Sequence, residues 1–72
     1  MQLSEEWLDF LNNLDKKGPV ALHAFPEHFK NRSKAEKLLG EIIRQGLVDL
    51  DEYMTKLVIT KKGRALVNNR SE

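Results

Sequence analysis

The chain of 72 residues contains no cysteine. That excludes disulfides and thiolate metal sites, and makes a cytoplasmic protein the expectation. Long apolar runs are missing too, so no segment is predicted to cross a bilayer as a helix. The opening residues, Met1 to Glu6, are acidic where a secretory signal would be basic. Glycine occurs four times and proline twice, and no low-complexity tract or internal repeat is present. Neither a glycine-rich phosphate loop, nor a Ser-His-Asp set, nor paired catalytic carboxylates can be found, so an enzyme is not expected. Size points the same way. A chain this short buries only about 60% of its unfolded surface, which leaves little core to wall a catalytic cleft.

What is present is a globular balance of 40% apolar and 32% charged residues. One domain spanning 1–72 is expected, with residues 1–3 and 69–72 frayed. Met1 and the polar tail fit a complete small protein. The net charge of +1 hides an asymmetry. Residues 1–15 carry Glu5, Glu6, Asp9 and Asp15 and no cation, a net −4. Residues 16–46 carry seven cations against three carboxylates, a net +4. A basic middle behind an acidic front is a nucleic-acid footprint or an ordinary solvated surface.

Spacing predicts the elements. Ser4 caps a first helix, Glu5 and Glu6 suit its positive end, and Leu3 and Leu8 are placed for a hydrophobic staple. Leu3, Trp7, Phe10, Leu11 and Leu14 line one apolar face. Lys16 and Lys17 close that helix, and Gly18-Pro19 ends it. An extended or coiled stretch near Val20–His23 is expected next, then a short helix from about Pro26. A kinked helix over the whole segment is the alternative. Ser33 and Glu36 match a capping box for a helix over 33–45, whose stripe is Ala35, Leu38, Leu39, Ile42 and Ile43. Gly46 ends it, with Leu47 folding back on Ile42. Two β-rich runs within 47–60 form an antiparallel hairpin. Thr60 caps a last helix from Lys61 to about Asn68. The fold class is therefore α+β, mostly α.

Two motifs carry a resemblance. Glu41-Ile42-Ile43-Arg44-Gln45-Gly46-Leu47-Val48 resembles the end of a recognition helix running into a wing. Leu57-Val58-Ile59-Thr60-Lys61-Lys62-Gly63-Arg64-Ala65-Leu66-Val67 resembles the exit of a wing into a final helix. In this order they are similar to winged helix-turn-helix regulators of the bacterial MarR and PadR kinds. The matched stretch covers residues 33–67, about half the chain. The resemblance implies three helices, a two-stranded hairpin wing and a short C-terminal helix. It also implies transcription regulation through duplex DNA, with the third helix in the major groove.

The residues permit that role. On a helical projection Ser33, Lys37, Gly40, Glu41 and Arg44 lie opposite the apolar stripe, flanked by Lys34 and Glu36. Lys30, Arg32, Lys34, Lys61 and Lys62 are expected to meet phosphates, and Ser33 a phosphate at the helix N-terminus. Lys34, Lys37 and Arg44 are the candidates near bases. Lys56 and Arg64 extend the set along the wing. Gly40 costs roughly 1 kcal/mol in mid-helix, which close approach of a DNA backbone or partner helix would explain. Plainer readings exist for each. Lys37 and Glu41 can simply pair on a solvated helix, and Gly40 can make room for the first helix. Glu41 repels phosphate, and Asp49, Asp51 and Glu52 weaken a groove-inserting wing. His23 and His28, across a proline and without clustered carboxylates, make a poor metal site. No cofactor and no metal are expected. A homodimer or larger complex would add affinity. The alternative function is a winged-helix protein-interaction module, of the kind found as small phage or mobile-element accessory proteins, that does not bind DNA.

Overall fold

Ser4 sets the first boundary. Its backbone is extended and its hydroxyl accepts the Trp7 N–H at 3.4 Å, so α1 runs Glu5–Lys17. The computed structural model describes residues 3–70, and side chains only as far as 68. The apolar spacing of α1 is realised as predicted, with Trp7, Phe10, Leu11 and Leu14 all buried. Leu3, expected to fray, packs against this core; residues 1–2 and 71–72 of the expected frayed ends lie outside the described residues.

After α1 the chain forms β1 (Val20–Ala21), then one 3₁₀ turn over Phe25–His28. The extended stretch and the short helix are both present, the helix as a single 3₁₀ turn starting at Phe25, and the continuous kinked helix is not. Pro26 sits in the first turn, where its missing N–H costs nothing, but Phe29 is already extended. The turn buries Phe25 and Phe29 beside Trp7, with ring centroids 5.4 and 4.7 Å from the indole. Each such aromatic pair contributes about 0.5–1.5 kcal/mol beyond its area. A longer helix would lose that docking.

α2 spans Arg32–Arg44, and its cap corrects the expectation. Asn31, not Ser33, is the N-cap: its Oδ1 accepts the Lys34 N–H at 3.0 Å. The helix begins before Ser33, which therefore sits inside the first turn, and the Ser33–Glu36 capping box does not form. At the other end the prediction holds. Gly46 takes a φ of +81°, and the Gly46 and Leu47 N–H groups reach back to the Ile43 and Ile42 carbonyls. That pairing is a Schellman close, and it reverses the chain into the sheet.

β2 (Val48–Leu50) and β3 (Lys56–Ile59) form the expected antiparallel hairpin, with Val48 opposite Ile59 and Leu50 opposite Leu57. The sheet is larger than a two-stranded wing. β1 pairs antiparallel on the other side of β3, Val20 opposite Leu57, giving the order β1-β3-β2. The protein is thus α+β and mostly helical, with three α-helices and a three-stranded antiparallel sheet among the described residues.

Thr60 joins sheet to helix. Its hydroxyl accepts the Gly63 N–H at 3.0 Å and donates toward the Gly46 and Leu47 carbonyls. α3 follows over Lys61–Arg70. A Cβ on Gly63 would overlap the Leu47 carbonyl oxygen, so only glycine allows α3 to pack this close to the start of β2. No helix of the described residues is long and apolar enough to cross a membrane.

Candidate functional site

α2 presents one apolar and one polar side. Ala35 and Ile42 are fully covered, and Leu38, Leu39 and Ile43 pack against the core. Arg32, Ser33, Lys34, Lys37, Gly40 and Arg44 all face solvent, so the predicted outward side is outward. At 13 residues this face runs about 20 Å along the helix.

Lys30 precedes the helix and is held by a specific latch. Its backbone N–H donates to the Glu6 Oε2 at 3.0 Å, which ties the approach to α2 onto the first turn of α1. Glu6 therefore does more than suit the α1 dipole. It also accepts from the backbone just before α2, a contact that spacing alone did not indicate.

Lys61 and Lys62 are exposed at the start of α3. The Lys62 stem runs beside Gly46, where an added Cβ would sit 3.9 Å from Lys62 Cδ. This places Lys62 near the C-terminal end of α2, while Lys30, Arg32 and Lys34 gather at the other end. Among the described residues, Lys30, Arg32, Lys34, Lys37, Lys61 and Lys62 make no side-chain ion pair.

Arg44 differs. It pairs with Glu41 at 3.3 Å, and Gln45 donates to the same carboxylate at 2.9 Å. Glu41 is thus engaged along its own helix by Arg44, and not by Lys37 as its spacing suggested. With Arg44 78% exposed, that pair contributes at most a few tenths of a kcal/mol and is easily exchanged. Arg64, expected along the hairpin, pairs instead with Asp15 of α1, Nε to Oδ1 at 2.7 Å. A Cβ added to Gly40 would meet no atom within 4 Å, so this glycine does not make room for α1. The helix is bare at that point.

The hairpin tip has a different chemistry. The Asp51 carboxylate accepts the Thr55 and Lys56 N–H groups at 2.7 and 3.1 Å and the Thr55 hydroxyl at 3.2 Å. The backbone closes the same turn, Asp51 N–H to the Lys56 carbonyl and Met54 N–H to the Asp51 carbonyl. Desolvation pushes the Asp51 carboxyl up. The two N–H donors, the hydroxyl and the Lys56 ammonium outweigh it, and its pKa lies below the ordinary value. At the apex, Tyr53 and Met54 are 75% and 69% exposed, the large apolar side chains most open to solvent.

Ser4, Glu6, Trp7, Phe29, Lys34 and Leu38 help to line a cleft of about 130 Å³ between α1 and α2. No group of three or more His, Asp or Glu among the described residues could hold a metal ion. His23 and His28 are both exposed, and the His28 ring lies 5.4 Å from that of Phe10. No family model, curated protein or solved structure matches the chain.

Proposed function

We propose that the chain is a small winged-helix DNA-binding protein acting as a transcriptional regulator. α2 would enter the major groove, with the β2–β3 hairpin beside the backbone. The observation that carries this reading is the run of Lys30, Arg32, Lys34 and Lys37, all exposed and all without an ion-pair partner among the described residues. Free cations along an open helix face are what phosphate neutralisation requires. Lys61 and Lys62 extend the footprint past the far end of α2. Ser33, in the first turn, can donate to a phosphate there. Arg44 reaches a base edge or phosphate once it leaves Glu41. The bare backbone at Gly40 lets a phosphate strand approach the helix closely. The order helix, short turn, capped helix, hairpin, helix supports the winged-helix assignment, with a third strand added to the wing.

A gel shift with mixed-sequence duplex at two salt concentrations tests it. Affinity falls steeply as salt rises, with a log–log slope of about −0.9 per phosphate neutralised. Replacing Lys34 and Lys37 together by alanine abolishes duplex binding and leaves the far-ultraviolet circular dichroism unchanged. Absence of duplex binding by the unaltered protein at low salt overturns the reading. The second function, a protein-interaction module, is favoured by one observation: the hairpin tip is apolar and acidic where a DNA-contacting wing would be basic.

A further inference from the structure

Tyr53 and Met54 stand side by side at the apex of a turn that five hydrogen bonds hold shut. Met54 keeps a φ of +58°, a left-handed conformation uncommon for a residue with a side chain. Other large apolar side chains of the described residues are wholly or partly covered. A turn backbone held this way loses little conformational freedom when its exposed aromatic and thioether side chains dock, which suits a binding anchor. Glu52 is exposed beside it in sequence, so the anchor carries one outward carboxylate, while that of Asp51 is taken up by the turn.

The α1–α2 cleft has the opposite character. Trp7, Phe29, Ala35 and Leu38 supply apolar walls, and Lys34 stands at its edge. Arg32 and Lys37 lie on the same helix, exposed and unpaired. Glu6 also lines the cleft as an anion while its Oε2 accepts the Lys30 N–H, so the charge attraction for Glu52 rests on the α2 cations. At about 130 Å³ the space is close to that of an apolar cavity known to take up benzene, about 150 Å³. One thioether chain or the edge of one phenol ring fits such a volume.

We infer that the hairpin tip of one copy docks in the α1–α2 cleft of a second copy. Met54 or Tyr53 would enter the apolar part, and Glu52 would meet Lys34 or Lys37. In a two-fold pair each tip fills the other's cleft, and the second contact forms at the high effective concentration set by the first. The contact does not rest on the DNA reading. Where both hold, they compete, because Lys34 and Lys37 serve the duplex and the tip alike.

Sedimentation velocity and amide chemical shifts, followed from about 10 µM to about 1 mM at low salt, test the inference in the range of weak association. The expected result is a monomer that becomes a dimer, with shifts moving together at the tip and at Trp7, Lys34 and Leu38. Tyr53→Ser with Met54→Ser weakens association by about tenfold or more without changing the circular dichroism. Lys34→Glu weakens it as well, and adding Glu52→Lys restores it. A monomer across the whole range overturns the inference. So does association that survives the double serine variant, or shifts confined to some other surface. Mixed duplex added to the dimer is a separate arm. Dissociation supports competition, and a duplex that binds without dispersing the dimer overturns the shared use of Lys34 and Lys37, leaving the docking contact itself to the other measurements.

Discussion

The outer face of α2 and the tip of the β2–β3 hairpin are both open to water, and they use their charges in opposite ways. On α2 the ammonium and guanidinium groups of Arg32, Lys34 and Lys37 have no ion-pair partner among the described residues. At the tip the Asp51 carboxylate is turned inward to organise the backbone, and it is the apolar side chains that are left outside. On one surface three cations stay unpaired among the described residues, and on the other one carboxylate, that of Asp51, shapes the backbone. A net charge of +1 describes neither surface.

Both surfaces depend on the junction where Leu47, Thr60 and Gly63 meet, so breaking it gives the largest effect. Gly63→Ala forces a methyl group against the Leu47 carbonyl oxygen. The expected loss is about 1–3 kcal/mol of stability, read by thermal or urea unfolding, and both faces are weakened together. An unchanged midpoint would show that α3 can shift freely on β2.

Gly40→Ala separates folding from binding. Its new methyl group meets open space, so helix propensity alone raises stability by roughly 1 kcal/mol. Under the DNA reading the same methyl group obstructs a close phosphate strand, and duplex affinity falls while the melting temperature rises. Both rising together would remove close approach from the explanation.

Glu6→Gln tests the latch in a milder way. The amide oxygen still accepts from Lys30 but without a charge, so the bond weakens. Duplex affinity is expected to drop by a factor of a few, with no change in the salt slope, because no cation has been removed. A changed slope would mean that Glu6 screens the basic face rather than placing it.

The smallest effect belongs to Asp51. Its folded pKa is depressed, so the unfolded chain takes up the proton at higher pH than the folded one. The stabilisation is complete above the ordinary carboxylate range and is lost as pH falls through the folded value. Asp51→Asn should remove that acid-side dependence and broaden the Tyr53 and Met54 amide signals, with α1 and α2 unaffected. Sharp, unmoved tip signals in this variant would show that the backbone alone shapes the turn.

How far these surfaces are legible in the sequence follows from the range of the interactions that make them. Helical spacing identifies the buried faces of α1 and α2 because both patterns are local and strong. The Gly46 close and the Thr60 cap are legible for the same reason. Ser33 competes with Asn31 as a cap because both residue types suit that position. The outcome depends on Phe29 docking in the aromatic core and on Glu6 holding Lys30, neither of which is local. β1 is two residues long and has no periodicity to detect; its pairing is with a strand far along the chain. The tip reads as acidic, which it is, but its apolar apex depends on Asp51 folding inward, and no residue spacing states that. The outward direction of Lys34 and Lys37 is legible; the Arg64–Asp15 pair, spanning α1 and α3, is not.

The order β1-β3-β2 places the latest strand in the middle. Neither outer strand has a neighbour to bond with until Lys56–Ile59 exists. A chain that stops short of Lys56 therefore lacks the strand that both others pair with, and this sheet does not form in it.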